Sequence, residues 1–85
     1  MYYVYVLKSF KDNNLYIGCF SDLKRRYIEH QTGLVKSTKD RRPLKLVYYQ
    51  AFLSESDSRK EEKYLKSGSK AKNSLKLRIS ESLTG

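Results

Sequence analysis

Two short runs near the N-terminus, Tyr2-Tyr3-Val4-Tyr5-Val6-Leu7 and Leu15-Tyr16-Ile17-Gly18, consist almost wholly of β-branched, aromatic and aliphatic side chains. Such side chains suit a pleated, half-buried surface, so both segments are expected as strands. Between them, Lys11-Asp12-Asn13-Asn14 supplies a turn, because Asn and Asp tolerate left-handed backbone and hydrogen-bond their own main chain. A hairpin follows, ended by Gly18 at a point where a side chain would obstruct something. Once that surface is opened, later elements have to cover it.

Those elements can be read in order. Ser21 is the expected N-cap of a helix over residues 22–31, with Gly33 as its stop and Leu23 and Tyr27 on its buried face. Residues 34–43 form a basic loop. The most apolar strand is expected over Leu44–Phe52. Ser54 and Asp57 have capping-box spacing and open a second helix to about Lys66, before Gly68. Ala71, Leu75, Ile79 and Leu83 form a four-residue stripe on a last helix starting near Lys70. The reading is an α+β fold: a small three-stranded antiparallel sheet with flanking helices, in the order β-β-α-β-α-α. No linker divides the 85 residues, so residues 1–85 are expected as one domain. A chain this short buries only about 60% of its unfolded surface, which makes its eight tyrosines and three phenylalanines important as bulk.

Charge narrows the partners. The formal net charge is +9, which favours a polyanion. The excess is uneven: residues 35–49 carry five basic groups against one acidic, whereas residues 50–66 balance. Cys19 is the only cysteine and His30 the only histidine. An intramolecular disulfide, a cysteine-based zinc site and a multi-histidine metal site are thereby excluded. No apolar run is long enough to span a bilayer and no signal segment is visible, so a cytoplasmic location without membrane contact is expected.

Two positions suggest chemistry. Arg26 and His30 stand one turn apart on the first helix, a repulsive pair unless an anion such as phosphate lies between them. In the second helix, Ser58, Glu61 and Glu62 share the side of Leu65. A carboxylate turned toward the protein needs a positive partner, which a metal ion or an arginine would supply.

Val4-Tyr5-Val6 and Tyr16-Ile17-Gly18 resemble the two halves of the GIY-YIG signature. The segment from Ser21 to His30 is similar to that family's helix, and Arg41-Arg42-Pro43-Leu44-Lys45-Leu46-Val47-Tyr48-Tyr49 to the third strand of its short stand-alone bacterial members. Glu61-Glu62-Lys63-Tyr64-Leu65-Lys66 is similar to the helix bearing the family's glutamate. The likeness extends to the N-terminal domain of the excinuclease C protein.

The resemblance implies a DNA endonuclease that hydrolyses phosphodiester bonds, with a role in DNA repair. Tyr16 would position or deprotonate the attacking water, with Tyr5 as its hydrogen-bonding neighbour. An unperturbed phenol has a pKa of about 10, so a base role calls for nearby positive charge. Arg26 would hold the scissile phosphate, His30 would stand one turn later, and Glu62 would bind Mg²⁺ or Mn²⁺. Lys24, Arg25, Lys36, Lys39, Arg41, Arg42 and Asn73 are expected to contact nucleic acid. The first motif keeps only its tyrosine, and Cys19 stands where some relatives have a lysine. A one-residue shift would put Arg25 in place of Arg26, or Glu61 in place of Glu62. Without an attached DNA-binding domain, targeting is expected to come from a protein partner. The alternatives are a nucleic-acid-binding module that does not cleave, and a basic adaptor for an acidic protein.

Overall fold

The computed structural model describes residues 1–84; Gly85, the last residue of the expected domain, lies outside the described residues. Strands β1 (Tyr2–Ser9) and β2 (Leu15–Phe20) form the hairpin, whose turn uses Asn13 in the left-handed region at φ 59°. Helix α1 spans Leu23–Gln31, β3 Leu44–Phe52, α2 Glu55–Lys66, α3 Ser69–Arg78 and α4 Ser80–Thr84. A 3-10 turn at Lys39–Arg41 interrupts the basic loop. The sheet order is β2-β1-β3, antiparallel throughout, which places β1 at the centre.

Side-chain alternation along β1 divides the core. Val4 and Val6 point to one face with Ile17 and Val47, where Leu65 of α2 and Leu75 of α3 cover them. Tyr5 and Leu7 point to the other face with Leu44, beneath Leu23 and Tyr27 of α1. A one-residue register slip would exchange the two sets, so burial on both faces fixes the pairing.

Three boundaries differ from the sequence reading. The cap of α1 is Asp22, whose carboxylate accepts from Arg25 N at 3.1 Å, in place of Ser21. Strand β2 continues past Gly18 to Phe20. The last helix breaks at Ile79 into α3 and α4, although Ile79 and Leu83 still pack against the core. Gly33, at φ +80°, follows the end of α1 as expected of a helix stop.

Candidate active site

The face beneath α1 gathers the chemistry. Tyr16, Gly18 and Phe20 alternate onto it from β2, and Tyr5 joins them from β1. A Cβ on Gly18 would overlap the hydroxyl and ring of Tyr5. Glycine is therefore needed at this position, and the group a side chain would obstruct is Tyr5. Lying over Gly18, the Tyr5 hydroxyl is carried toward the β2 edge of the sheet.

His30 extends from α1 into this cluster and is fully buried. Its Nε2 is 2.8 Å from the Tyr5 hydroxyl, and its Nδ1 is 2.7 Å from Thr38 Oγ1. The His30 ring meets those of Tyr5 and Tyr16 edge-on, with centroids 5.5 and 5.2 Å away. Burial, and then the Arg26 guanidinium, push the imidazole pKa down to about 4. A neutral His30 does not repel Arg26. No anion is needed between the pair, contrary to the expectation from sequence: the imidazole simply sheds its proton.

Burial pushes the Tyr5 phenol up to about 12, with Tyr16 and Glu62 adding to the effect and Arg26 opposing it. Tyr5 is therefore a neutral hydrogen-bonding group at ordinary pH. Arg26 lies against it. Burial alone would lower the arginine pKa, but the Tyr5 hydroxyl and Glu29 outweigh that and raise it. The guanidinium stacks on Phe20 at 4.8 Å and donates from Nη1 to Glu29 at 3.1 Å. Its Nε is buried and has no hydrogen-bond partner among the described residues. A buried, unmatched donor is costly, and it leaves Arg26 with unfilled capacity for an anion.

Glu62 is placed differently. Helix α2 packs on the Val4 and Val6 face, opposite α1, so Glu62 does not rise from the same side of the sheet as Tyr16 and Arg26. One turn before it, Ser58 lies 3.2 Å from Cys19 on the β2 edge strand. Glu62 thus runs along that edge, and its charge reaches Tyr5. In the structure its carboxylate pairs with Lys66, at 3.0 Å on the same helix. Only 19% of the Glu62 side chain is exposed.

No group of three His, Cys, Asp or Glu is assembled among the described residues. A single carboxylate nevertheless fits Mg²⁺, which keeps several waters and takes its remaining ligands from substrate phosphate. Glu61 is half-buried beside Glu62, but Glu62 is the one whose charge acts on Tyr5. The two arginines are likewise placed differently. Arg25 is mostly exposed and faces Glu29 at 3.8 Å, whereas Arg26 enters the cluster.

The expected DNA contacts separate into free and engaged groups. Lys24, Lys36 and Lys39 are exposed, as is Asn73 on α3. Arg25 stacks on Phe20 at 5.0 Å. Arg41 instead pairs with Asp12 at 2.8 Å, while its carbonyl accepts from Ser9 Oγ at 2.6 Å. Arg41 therefore ties the loop to the hairpin tip. Arg42 donates from Nε to the Lys39 carbonyl at 2.9 Å. A groove of about 610 Å³ lies between α1 and β3, lined by Tyr3, Leu23, Tyr27, Leu46 and Tyr49. Lys24 is the only expected site residue along it.

Sequence reasoning missed Phe20, Glu29, Ser37 and Thr38. Phe20 follows from a period of two once β2 passes Gly18, and Glu29 from its three-residue spacing to Arg26. The two hydroxyl residues carry no local signal, because the loop brings them to the site only in the folded chain.

This arrangement on a three-stranded sheet defines a small α+β domain of the GIY-YIG class. The GIY-YIG catalytic domain family matches residues 1–76, and the chain belongs to that family. Within it, the chain is 43% identical over 77 residues to a UPF0213 protein of Staphylococcus saprophyticus, covering 89% of this chain and 92% of that one. A UPF0213 protein of Clostridium perfringens is 40% identical over 67 residues, covering 78% of this chain and 71% of the relative. The solution NMR structure of a UPF0213 protein from Bacillus halodurans has the same fold. Its TM-score is 0.58 at 33% identity, over 93% of this chain and 85% of that one.

Proposed function

We propose that this protein is a metal-dependent DNA endonuclease that hydrolyses phosphodiester bonds. The observation that carries the reading is the meeting of Tyr5, Tyr16, His30 and Arg26 under α1, with a buried Arg26 donor unfilled. Arg26 binds the scissile phosphate and offsets the charge that grows as water attacks phosphorus. Tyr16, partly exposed at the cluster rim, orients that water. Tyr5, neutral and tied to His30, holds the hydrogen-bonding geometry around the phosphate.

Glu62 would hold Mg²⁺ or Mn²⁺ at the β2 edge, releasing Lys66 as it does so. When bound, such an ion supplies positive charge for the departing oxygen. Exposed Lys24, Arg25, Lys36 and Lys39, with Asn73 and Arg42, provide contacts to the DNA backbone. A partner protein that brings the substrate belongs to the same reading, as does a cytoplasmic role in DNA repair.

A second reading has its own observation. Glu62 is already neutralised by Lys66, and its helix lies across the sheet. That favours a nucleic-acid-binding module that does not cleave. Incubation with Mg²⁺ or with chelator, over linear, nicked, flapped and four-way DNA, separates the two. The nuclease reading expects cleavage of at least one form, dependent on the cation and lost in Arg26→Ala. Binding without cleavage on every form would favour the second.

A further inference from the structure

The loop between α1 and β3 carries more than positive charge. Thr38 is fully buried within it, although its neighbours Ser37 and Lys39 are exposed. Its hydroxyl meets His30 Nδ1 at 2.7 Å, while Nε2 meets the Tyr5 hydroxyl at 2.8 Å. The imidazole thus bridges the loop and the central strand, with both nitrogens occupied.

A neutral imidazole has one N–H and one lone pair, so one neighbour must donate to it and the other must accept. Tyr5 determines which. The Arg26 guanidinium lies against the Tyr5 oxygen and can only donate. The oxygen therefore keeps its lone pairs toward that positive charge and turns its own proton toward Nε2. Nε2 accepts, the ring proton resides on Nδ1, and Thr38 Oγ1 receives it.

We propose that Thr38 is a positioning residue that holds His30 in the Nδ1–H form, so that Nε2 draws the Tyr5 proton and the Tyr5 oxygen keeps its lone pairs toward Arg26. Without the Thr38 acceptor, the ring proton would sit buried and unmatched on Nδ1. Its transfer to Nε2 would turn the Tyr5 hydroxyl away and disturb the donor set around the phosphate. The fold holds Thr38 in place from several sides. Arg41 closes on Asp12, Thr38 N donates to the Val35 carbonyl at 3.2 Å, and Phe10 N donates to the Pro43 carbonyl at 2.9 Å. Ser37, the preceding residue, donates to the Tyr16 hydroxyl at 3.3 Å, so adjacent loop residues reach Tyr16 directly and Tyr5 through His30.

The kinetic consequence rests on the nuclease reading; the tautomer does not. With one histidine in the chain, long-range proton–nitrogen NMR of the imidazole reads His30 without ambiguity. In the wild type at neutral pH, the proposal expects Nδ1 protonated and Nε2 bare. Thr38→Val, nearly isosteric, should shift the proton toward Nε2, and Thr38→Ser should restore the wild-type pattern. In the cleavage assay, Thr38→Val should lower kcat by about 10- to 100-fold with KM little changed, a loss on the scale seen when the orienting partner of a metal-bound histidine is removed. Thr38→Ser should recover most of that rate. A wild-type ring protonated on Nε2 overturns the proposal, as does a Thr38→Val spectrum identical to the wild type. Should Thr38→Val fail to fold, the wild-type and Thr38→Ser spectra still decide the tautomer. Absence of cleavage by the wild type would overturn the nuclease reading, while the spectra judged this one separately.

Discussion

Gly18 shows how one residue sets the site. Its missing side chain is filled by the Tyr5 ring, so Gly18→Ala has to displace either that ring or strand β2. We expect a loss of about 1–3 kcal/mol, the usual range for overpacking a filled core. Chemical denaturation measures it, and the loss should shrink in a Tyr5→Phe background, because the overlap includes the hydroxyl. Equal losses in the two backgrounds would mean that the hydroxyl is not the obstacle.

His30 offers a second test at the same scale. Its folded pKa is about 4, against about 6.5 in an unfolded chain. Between those values the unfolded chain binds a proton that the native state does not. Stability should therefore fall as pH drops from about 6.5 to about 4, then level off for this group. Asp12, held at about 2 chiefly by Arg41, loses its stabilising contribution only as pH falls below its ordinary 3.8, so the two windows separate. Denaturation midpoints across pH 4–7 should decline toward acid in the wild type, and His30→Gln should flatten that slope. An unchanged slope in His30→Gln would contradict a neutral buried imidazole.

Among the elements, the basic loop combines two tasks that its sequence does not separate. Lys36 and Lys39 project freely, whereas Arg41 is engaged with the hairpin tip. Replacing both lysines by Ala should therefore reduce the log–log salt slope of duplex binding by about 0.9 for each phosphate no longer touched. Titrations at several salt concentrations would reveal an unchanged slope if these lysines only face solvent. Helix α2 rests on little apolar area, since Ser58 and Leu65 are its only buried residues. Leu65→Ala should cost about 2–5 kcal/mol, read by denaturation, and should loosen the helix that carries Glu62.

The elements themselves were largely legible. The β3 limits, Leu44 and Phe52, follow from its apolar run, and the Ser54 cap from its spacing to Asp57. What local pattern could not give was set by tertiary contact. Gly18 reads as a strand end, yet it stays in β2 because Tyr5 covers it. Thr38 reads as loop, yet it is buried where its hydroxyl partners a histidine 8 residues earlier.

For the whole molecule, the division of the sheet is the decisive feature. One face carries α1 with the tyrosines, His30 and Arg26, while the other carries α2 to α4. Motif order identified the candidate residues but not the faces from which they approach. The nuclease reading therefore requires Glu62 to act around the edge strand β2, where its charge already reaches Tyr5. Glu62→Gln keeps the shape and removes the negative charge that a divalent ion needs. Cleavage and binding should be measured together on the DNA form that the wild type cuts in Mg²⁺. The account predicts cleavage lowered by about a thousandfold or more, with DNA affinity retained or slightly increased. Wild-type cleavage that persists undiminished in Glu62→Gln, or its absence on every DNA form, would contradict it.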